Sequence, residues 1–234
     1  MRNEEFGVGS IVHIMKRGAH KMPIVKDDAD RWRFLKLLRY INDDNVPRNW
    51  ERDISPSLIG DNFARPEKWP EAKPYVAILS YCLMENHFHV LLKELVDGGI
   101  AKFIQRLCQS MTSHHNAKYE ASGTIFQGPY RAVVVEEDSH LQYLFAYINL
   151  KNPLELREGG LRAAMGDFDA AYEWAMRYPF SSTADLVGER MSSILANEFY
   201  DELRPHPQEF KAYARDVLLD RIARDENIAR YELD

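Results

Sequence analysis

The two histidines of LMENHFHVLL, residues 83–92, are separated by one residue within an otherwise apolar run. A β-strand directs alternate side chains to opposite faces, so His87 and His89 share one face and Phe88 lies on the other. Imidazole is a common ligand of divalent metal ions, and two rings on one face can chelate one ion. Two polar residues on a solvent-facing surface would give the same pattern, so the pair alone leaves both interpretations open.

Two tyrosines, Tyr143 and Tyr147, lie four residues apart in SHLQYLFAYINLKN and would share one face of a helix. A phenol ionises only at a pH of about 10 and is a poor nucleophile at neutral pH. A cation bound to a phosphodiester would polarise its phosphorus–oxygen bonds and neutralise charge as a tyrosine oxygen attacks. The histidine pair and a helical tyrosine would therefore suit DNA cleavage through a phosphotyrosine, although ordinary packing explains either tyrosine alone.

The histidine pair belongs to one of four segments whose apolar pattern predicts β-strands. They are residues 10–16, YVAILSYCLM, FHVLLKEL and YRAVVVEED. Glu85 and Asn86 separate the middle two segments and predict a tight hairpin turn. His87 and His89 would therefore lie at the start of the third strand.

Three segments have apolar residues at helical spacing. They are KDDADRWRFLKLLRYIND, GGIAKFIQRLCQSMTSHHNAKYEASG and SHLQYLFAYINLKN. Asp27 or Asp28 would cap the first helix, and the third would begin at a Ser139 cap and end at Pro153. The proline-containing residues 43–74 predict a long irregular connection that would hold a short helix or cover the site.

The order strand, helix, strand, strand, helix, strand, helix predicts an α+β fold with the ferredoxin-like split β-α-β arrangement. In that arrangement a four-stranded antiparallel sheet carries helices on one face. Residues 155–234 predict a helical C-terminal extension. We therefore expect a catalytic domain over residues 1–154 and an acidic helical extension over residues 155–234, although the fold alone identifies no function.

The composition is that of a globular protein, with 45% hydrophobic residues in a chain of 234. No apolar stretch is long enough to suggest a membrane span. With only Cys82 and Cys108, neither in a CxxC pair, we expect no disulfide framework and a reducing, cytoplasmic location.

The charge is unevenly distributed along the chain. Residues 1–154 hold 20 basic and 19 acidic side chains, whereas residues 155–234 hold 10 basic and 17 acidic ones. Within the first part, residues 11–40 hold eight basic side chains against three acidic ones. A local basic patch is enough to attract a polyanion, although an ordinary solvated helix face would show the same run of charges.

Four stretches, in order along the chain, resemble one known family. They are VHIMKRGAHKMPIVKDDADRWRFLKLL, YCLMENHFHVLL, GTIFQGPYRAVVVEEDSHLQYLFAYINLKNP and RYPFSSTADLVG. On these stretches the chain resembles the REP-associated tyrosine transposases, a branch of the IS200-like single-tyrosine HUH transposases. It departs from the family pattern at Glu85, where the family usually has proline.

The resemblance implies that His87 and His89 bind Mg²⁺ or Mn²⁺ and that Tyr147 is the nucleophile. The family motif usually ends Tyr-Ile-x-x-Asn-Pro, and its asparagine, four residues after the tyrosine, completes the metal site. Here Asn152 lies five residues after Tyr147, and Lys151 occupies the fourth position. One residue turns a helical side chain by about 100°, so the third ligand does not follow from the spacing alone.

Several groups could complete the site. Asn152 would be the ligand if the helix loosens before Pro153. Otherwise Asn149 or water would complete the shell, or Lys151 would contact the phosphate.

DNA binding requires basic side chains on phosphates and aromatic or amide groups on bases. A second histidine pair, His114 and His115, would diverge on a helix and is not expected to form a metal site. The expected DNA contacts are Lys16, Arg17, Lys21, Gln127, Tyr130, Arg131 and Lys151.

The resemblance implies a metal-dependent endonuclease and strand transferase that acts on single-stranded, hairpin-forming repeat DNA. It would form a covalent 5′-phosphotyrosine, leave a free 3′ hydroxyl and work in the cytoplasm at the nucleoid, with self-association possible and no membrane partner. One alternative is a domesticated protein that binds hairpin DNA without cutting it. An RNA-binding module of ferredoxin-like topology ranks last, because its base-stacking motif is absent.

Overall fold

A four-stranded antiparallel sheet forms the centre of the molecule. The computed structural model describes residues 6–54 and 63–231. The strands are β1 (Ile11–Arg17), β2 (Val76–Leu83), β3 (His87–Glu94) and β4 (Arg131–Val135), in the order β2-β3-β1-β4. This order places β1 and β3 in the middle and confirms the predicted ferredoxin-like α+β fold.

One face of the sheet packs against α1 (Asp28–Tyr40) and α3 (Gly99–Tyr119). The apolar side chains at alternate positions of β1 and β3 face these helices. The ring of Phe88, for example, lies 5.2 Å from that of Phe34 in α1. Val12 and Ile14 on the same face are fully buried. The two helices thereby form the helical layer that the sequence predicts.

The connection after α1 contains the short helix α2 (Trp50–Asp53), as the sequence allowed. Its residues 55–62 lie outside the described part of the chain. Phe63 and Trp69 pack against Tyr40 of α1, with ring centroids 6.3 and 5.8 Å away. The described part of this connection therefore covers α1 and not the histidine-bearing face.

The histidine-bearing face is contacted by a helical segment with an irregular middle. It runs from α4 (Asp138–Ala146) through a π turn (Tyr147–Lys151) into α5 (Asn152–Glu155). Five further helices follow. They are α6 (Gly160–Gly166), α7 (Phe168–Arg177), α8 (Thr183–Leu186), α9 (Asn197–Leu203) and α10 (Pro207–Tyr231). Across the residues whose structure is described, no helix has the length and apolar character that a membrane span needs.

Both predicted ends of the tyrosine helix are wrong. Glu137 precedes the first turn, and Ser139 lies inside α4, where its hydroxyl donates to the Glu137 carboxylate at 3.2 Å. Pro153 does not end the helix, because it occupies the first turn of α5, where a missing N–H is tolerated. The chain accommodates the proline by changing its hydrogen-bonding pattern in the preceding turn.

A buried carboxylate joins α1 to α3. The Asp27 side chain caps α1 by accepting from the Asp30 N–H at 3.0 Å, as predicted for this position. The Asp30 carboxylate is itself buried and accepts from Lys118 Nζ at 2.8 Å and from the Tyr119 hydroxyl at 2.7 Å. Burial raises the pKa of Asp30, but these hydrogen bonds outweigh burial and hold the pKa below its ordinary value.

We expect Asp30→Asn to destabilise the fold by about 2 kcal/mol, which corresponds to ~4–8 °C in melting temperature. The native carboxylate is held ionised, so its contribution is complete above its ordinary pKa of 3.8. It falls progressively below that value and is lost as the pH passes through the lowered native pKa. Thermal melts at pH 7 and at pH 3 test both statements, with the exposed Asp28→Asn as control. An equal difference between wild type and Asp30→Asn at both pH values would contradict the linkage.

Candidate active site

His87 and His89 lie at the start of β3 and point to the same face of the sheet. Their ring centroids are 5.1 Å apart. His87 is half-buried, whereas His89 is only 4% exposed. The central position of β3 therefore holds the two imidazoles on a surface that is shielded from bulk water.

A third histidine that the sequence analysis did not single out completes the cluster. His13 of β1 lies on the same face, and its Nε2 is 2.9 Å from His89 Nδ1. The two rings stack with centroids 5.1 Å apart. Strand alternation in IVHIMKR could have predicted that His13 lies on the face opposite Val12 and Ile14. The pairing of β1 with β3 is what brings its ring to that of His89.

The ring nitrogens of the predicted ligands have a consistent arrangement. His87 Nδ1 lies 2.6 Å from Asn86 Oδ1, an acceptor, so the proton belongs on His87 Nδ1. His89 Nδ1 hydrogen-bonds with His13 Nε2, and either nitrogen can be the donor. His87 Nε2 is thereby left as a lone-pair donor, and His89 Nε2 is one when His89 Nδ1 carries the proton. Such second partners orient metal-bound histidines in general.

The histidines are held neutral. Burial, with a smaller contribution from His140, lowers the pKa of His13 to about 4. Burial also lowers the pKa of His87 to about 4, with Arg17 and Lys151 acting in the same direction. For His89, burial together with its histidine neighbours places the pKa well below the ordinary value. Neutral imidazoles are the form that binds a cation, so the site needs no deprotonation at pH 7.

Tyr147 lies against this cluster. Its ring centroid is 5.4 Å from that of His89 and 6.0 Å from that of His13. Tyr143, one turn earlier, stacks on Tyr147 at 5.9 Å. The structure thus brings the predicted nucleophile to the predicted ligands, although they are 58 residues apart along the chain, counting from His89 to Tyr147.

Two cations also face the Tyr147 ring. Lys151 Nζ lies 4.7 Å from the ring centroid and pairs with Glu155 at 2.8 Å. The Arg221 guanidinium of α10 lies 5.6 Å from the same centroid. Lys151 therefore lies beside Tyr147. A role of Lys151 in contacting the phosphate would require this position.

The π turn changes how the spacing between Tyr147 and Asn152 must be interpreted. The Asn152 N–H donates to the Tyr147 carbonyl, five residues earlier. In a π turn, residues five apart take the relation that residues four apart have in an α-helix. Asn152 therefore lies one helical turn after Tyr147 despite the extra residue, which is the loosening that its role as a ligand requires.

The amide of Asn152 has no partner of its own. Asn152 is fully buried, and within residues 6–54 and 63–231 neither its Oδ1 nor its Nδ2 has a hydrogen-bond partner. An unpaired buried amide costs about 1–3 kcal/mol, so its retention needs a reason. A ligand for Oδ1 would supply one.

Asn149, the other amide considered as third ligand, is fully engaged. Its Nδ2 donates to Ser80 Oγ and to the Phe145 carbonyl, both at 2.9 Å. Its Oδ1 accepts from Ser182 Oγ at 2.7 Å. The geometry therefore favours Asn152 over Asn149.

Two imidazole nitrogens and one amide oxygen make a donor set that a divalent cation can use, with water or a phosphate oxygen in the remaining positions. The unpaired Asn152 amide is the observation that fits such an ion. A cluster of three or more His, Cys, Asp or Glu side chains with metal-binding geometry does not occur in the described ranges. The ion would therefore depend on the amide and on its substrate to complete the shell.

His13→Phe should weaken binding of Mn²⁺ by about 10–100-fold, because loss of a partner behind a metal-bound histidine has effects of this size. Phenylalanine keeps the ring volume and removes the nitrogen that engages His89 Nδ1. Mn²⁺ titration followed by electron paramagnetic resonance measures the change. His115→Phe, on α3 and facing Tyr119, is the matched control, and equal affinities of His13→Phe and wild type would refute the role.

The expected DNA contacts gather at one end of the sheet. The Gln127 N–H donates to the Arg17 carbonyl at 2.9 Å, and Asn86 Nδ2 donates to the Lys21 carbonyl at 3.1 Å. Arg131 begins β4 beside Met15, on the histidine face. Lys21, Gln127 and Arg131 are exposed, and this end of the sheet also carries His87.

Among the expected DNA contacts, Arg17 has a buried N–H group without a hydrogen-bond acceptor in the described part of the chain. Its Cα pairs with that of His87 across the β1–β3 ladder. Its Nε is buried and lacks a hydrogen-bond acceptor among the residues that the structure describes. A phosphate oxygen close to His87 would satisfy that donor.

Lys16 differs from the other expected DNA contacts. It points to the opposite face, is only 7% exposed, and donates to the carbonyls of Gln127 and Gly128. Its role in the structure is to hold the turn that carries Gln127. The geometry therefore does not favour Lys16 as a phosphate contact. Tyr130 is half-buried and precedes the exposed Arg131 in the chain.

Known proteins are similar to this chain both in a sequence family and in structure. Residues 71–151 match the family model described as "Transposase IS200 like". The matched range contains His87, His89 and Tyr147, and the predicted resemblance to IS200-like transposases is confirmed over this part of the chain. A solved structure of a REP-associated tyrosine transposase bound to a REP hairpin is similar at 11% identity, with a TM-score of 0.41 over 84% of this chain and 90% of that chain. The search of curated proteins finds no match.

Proposed function

We propose, from the IS200-like transposase match of residues 71–151, that the protein is a metal-dependent endonuclease and strand transferase for single-stranded or hairpin DNA. The observation that carries the proposal is the convergence of His87, His89 and Tyr147, whose rings follow one another at 5.1 and 5.4 Å. We further propose that it acts in the cytoplasm on hairpin-forming repeats, the kind of DNA bound in the similar solved structure.

The chemical step is a transesterification at one phosphodiester. The Tyr147 oxygen attacks the phosphorus, a tyrosine–phosphorus bond forms, and the bond between phosphorus and the 3′ oxygen breaks. The tyrosine proton passes to solvent, and the departing 3′ oxygen takes up a proton to become a free 3′ hydroxyl. The 5′ phosphate remains on Tyr147, and a later attack by another 3′ hydroxyl would transfer the strand.

The chain's own residues would hold this reaction in place. His87 Nε2, His89 Nε2 and Asn152 Oδ1 would hold Mg²⁺ or Mn²⁺, which when bound would polarise the phosphate and offset its charge. Asn86 would keep the His87 ring in the required tautomer, and His13 would do the same for His89 by accepting from its Nδ1. Arg17 Nε would donate to the phosphate, and Lys151, already beside the Tyr147 ring, would contribute positive charge.

The surrounding end of the sheet would hold the DNA. Lys21 and Arg131 would contact phosphates, and Gln127 and Tyr130 would contact bases. All four lie within the end of the sheet that carries His87. This arrangement would present the phosphodiester beside the histidines while the rest of the hairpin extends outward.

The decisive experiment is the formation of a covalent adduct. The full chain is incubated with a panel of 5′- or 3′-labelled hairpin oligonucleotides and Mn²⁺ or Mg²⁺, then denatured and separated by electrophoresis. We expect a labelled protein band with the 3′-labelled hairpin, because the fragment on the 3′ side of the scissile phosphate stays on Tyr147 through its 5′ phosphate. The 5′-labelled hairpin should give a shorter free strand that ends in a 3′ hydroxyl. Absence of both adduct and cleavage with every hairpin and both ions would overturn the proposal, and hairpin binding under those conditions would identify a DNA-binding protein without cleavage activity.

A further inference from the structure

We infer that Ser182 and Thr183 are positioning residues for the nucleophile, because they fix the π turn that aligns Tyr147 with Asn152. The inference rests on the proposed function and extends it to residues beyond the predicted catalytic domain. Both side chains are fully buried, and their hydrogen bonds include those to Asn149. Their effect on the site would pass through Asn149.

The contacts form one connected polar group, the Asn149 network, which consists of Ser80, Asn149, Ser181, Ser182 and Thr183. All five side chains are fully buried. Ser182 Oγ donates to Asn149 Oδ1 at 2.7 Å and accepts from the Tyr81 N–H at 2.9 Å. Buried polar groups of this kind define one arrangement when every member is satisfied.

Thr183 hydrogen-bonds to the backbone of the π turn. Its hydroxyl donates to the Asn149 carbonyl at 2.5 Å. In a regular α-helix that carbonyl would accept from the residue four positions later, which here is Pro153, and proline has no N–H to give. Thr183 thus replaces the hydrogen bond that the proline removes.

This replacement bears on the geometry of the site. Asn149 is the middle residue of the π turn, between Tyr147 and Lys151. The turn carries one residue more than an α-helical turn and is a rare, locally strained conformation that needs support from its surroundings. Contacts at both the side chain and the carbonyl of Asn149 hold it, so that Tyr147 and Asn152 remain one turn apart.

The support is anchored in the sheet. The Leu83 N–H donates to the Phe180 carbonyl and the Ser182 N–H to the Tyr81 carbonyl, both at 2.9 Å. Residues 180–182 thereby follow the edge of β2, and Asn149 Nδ2 reaches Ser80 of the same strand. The π turn is therefore fixed to β2. This strand pairs with β3, and β3 carries His87 and His89.

The test compares Thr183→Val, which removes the hydroxyl at constant shape, with Thr183→Ser, which retains it, and with Ser182→Ala. Ser192→Ala is the control, because it removes another buried hydroxyl of the same segment that does not touch the π turn. Three quantities are measured for each variant. They are Mn²⁺ affinity by electron paramagnetic resonance, hairpin affinity, and the single-turnover rate of adduct formation with prebound hairpin.

For Thr183→Val and Ser182→Ala we expect Mn²⁺ affinity and adduct rate to fall by about 10-fold or more, since displacements of the order of 1 Å at a reactive group have effects up to ~10²-fold. Hairpin affinity should stay within about twofold, because the proposed contacts of Lys21, Gln127, Tyr130 and Arg131 lie outside the π turn. Thr183→Ser should recover most of both losses. A merely structural role would lower all three quantities together with thermal stability.

The inference is overturned if folded Thr183→Val matches Ser192→Ala in Mn²⁺ affinity and adduct rate. It is also overturned if Thr183→Val and Ser182→Ala both fail to fold while Thr183→Ser and Ser192→Ala are native, because the network would then serve folding alone. If the wild type forms no adduct, the proposed function fails, and Mn²⁺ affinity alone still decides the inference. Absence of Mn²⁺ binding by the wild type would overturn both.

Discussion

Tyr147→Phe should abolish the covalent protein–DNA adduct and reduce strand cleavage by on the order of 10³-fold or more, as removal of an enzyme's nucleophile generally does. The substitution deletes one oxygen and leaves the ring that contacts His89 and His13. Binding of the hairpin and of Mn²⁺ should therefore remain close to wild type. Denaturing electrophoresis after incubation with labelled hairpin measures the adduct directly.

Tyr143→Phe is the matched control for this experiment. Tyr143 stacks on Tyr147 and lies on the same helix face, so it would be the alternative nucleophile. We expect this variant to keep adduct formation within about tenfold of wild type, because it keeps the Tyr147 hydroxyl. An adduct that persists in Tyr147→Phe and disappears in Tyr143→Phe would reassign the reaction to Tyr143.

His87→Ala should reduce Mn²⁺ affinity by more than about 100-fold, since removal of a ligand exceeds the ~10–100-fold effect of removing the partner behind one. It should also reduce adduct formation in proportion at limiting Mn²⁺. His87 is half-buried and lies at the first position of β3, so the fold should tolerate the change. Titration of the metal in both the binding and the cleavage assay gives the two values.

The control for His87→Ala is His114→Ala, which removes an imidazole on the opposite face of the sheet. His114 pairs with Asp30 and has no contact with the site, so its loss should affect stability and leave Mn²⁺ affinity unchanged. Adduct formation by His87→Ala at the same Mn²⁺ concentration as wild type would show that His87 is not a ligand. The metal site would then have to be sought elsewhere on the chain.

The sheet and the position of the two histidines followed from local patterns. The order of strands and helices along the chain, with the turn at Glu85 and Asn86, was enough to predict a four-stranded antiparallel sheet of the ferredoxin-like kind, which the structure confirms. Strand geometry alone was enough to predict that His87 and His89 lie on the same face of the sheet. These features depend on residues that are near one another in sequence, which is why the sequence contains them.

What the sequence did not provide depends on contacts between distant segments. His13 joins the site through the pairing of β1 with β3, and its register is not written in either strand alone. Lys16 is an exception: it was predicted to contact DNA, although the local alternation that buries Val12 and Ile14 also directs Lys16 to the buried face. Thr183 has no recognisable signal at all, because its role is set by a proline 30 residues earlier in the chain, at position 153.

The π turn also changes what an insertion or deletion would mean for this protein. A motif search that counts residues rejects the chain at Asn152, whereas a comparison that counts helical turns accepts it. One amino acid has been taken up as a bulge, so both versions of the segment, with and without it, are compatible with the same placement of tyrosine and asparagine. The gap between catalytic residues in such helices is therefore better defined by rotation about the axis than by alignment columns.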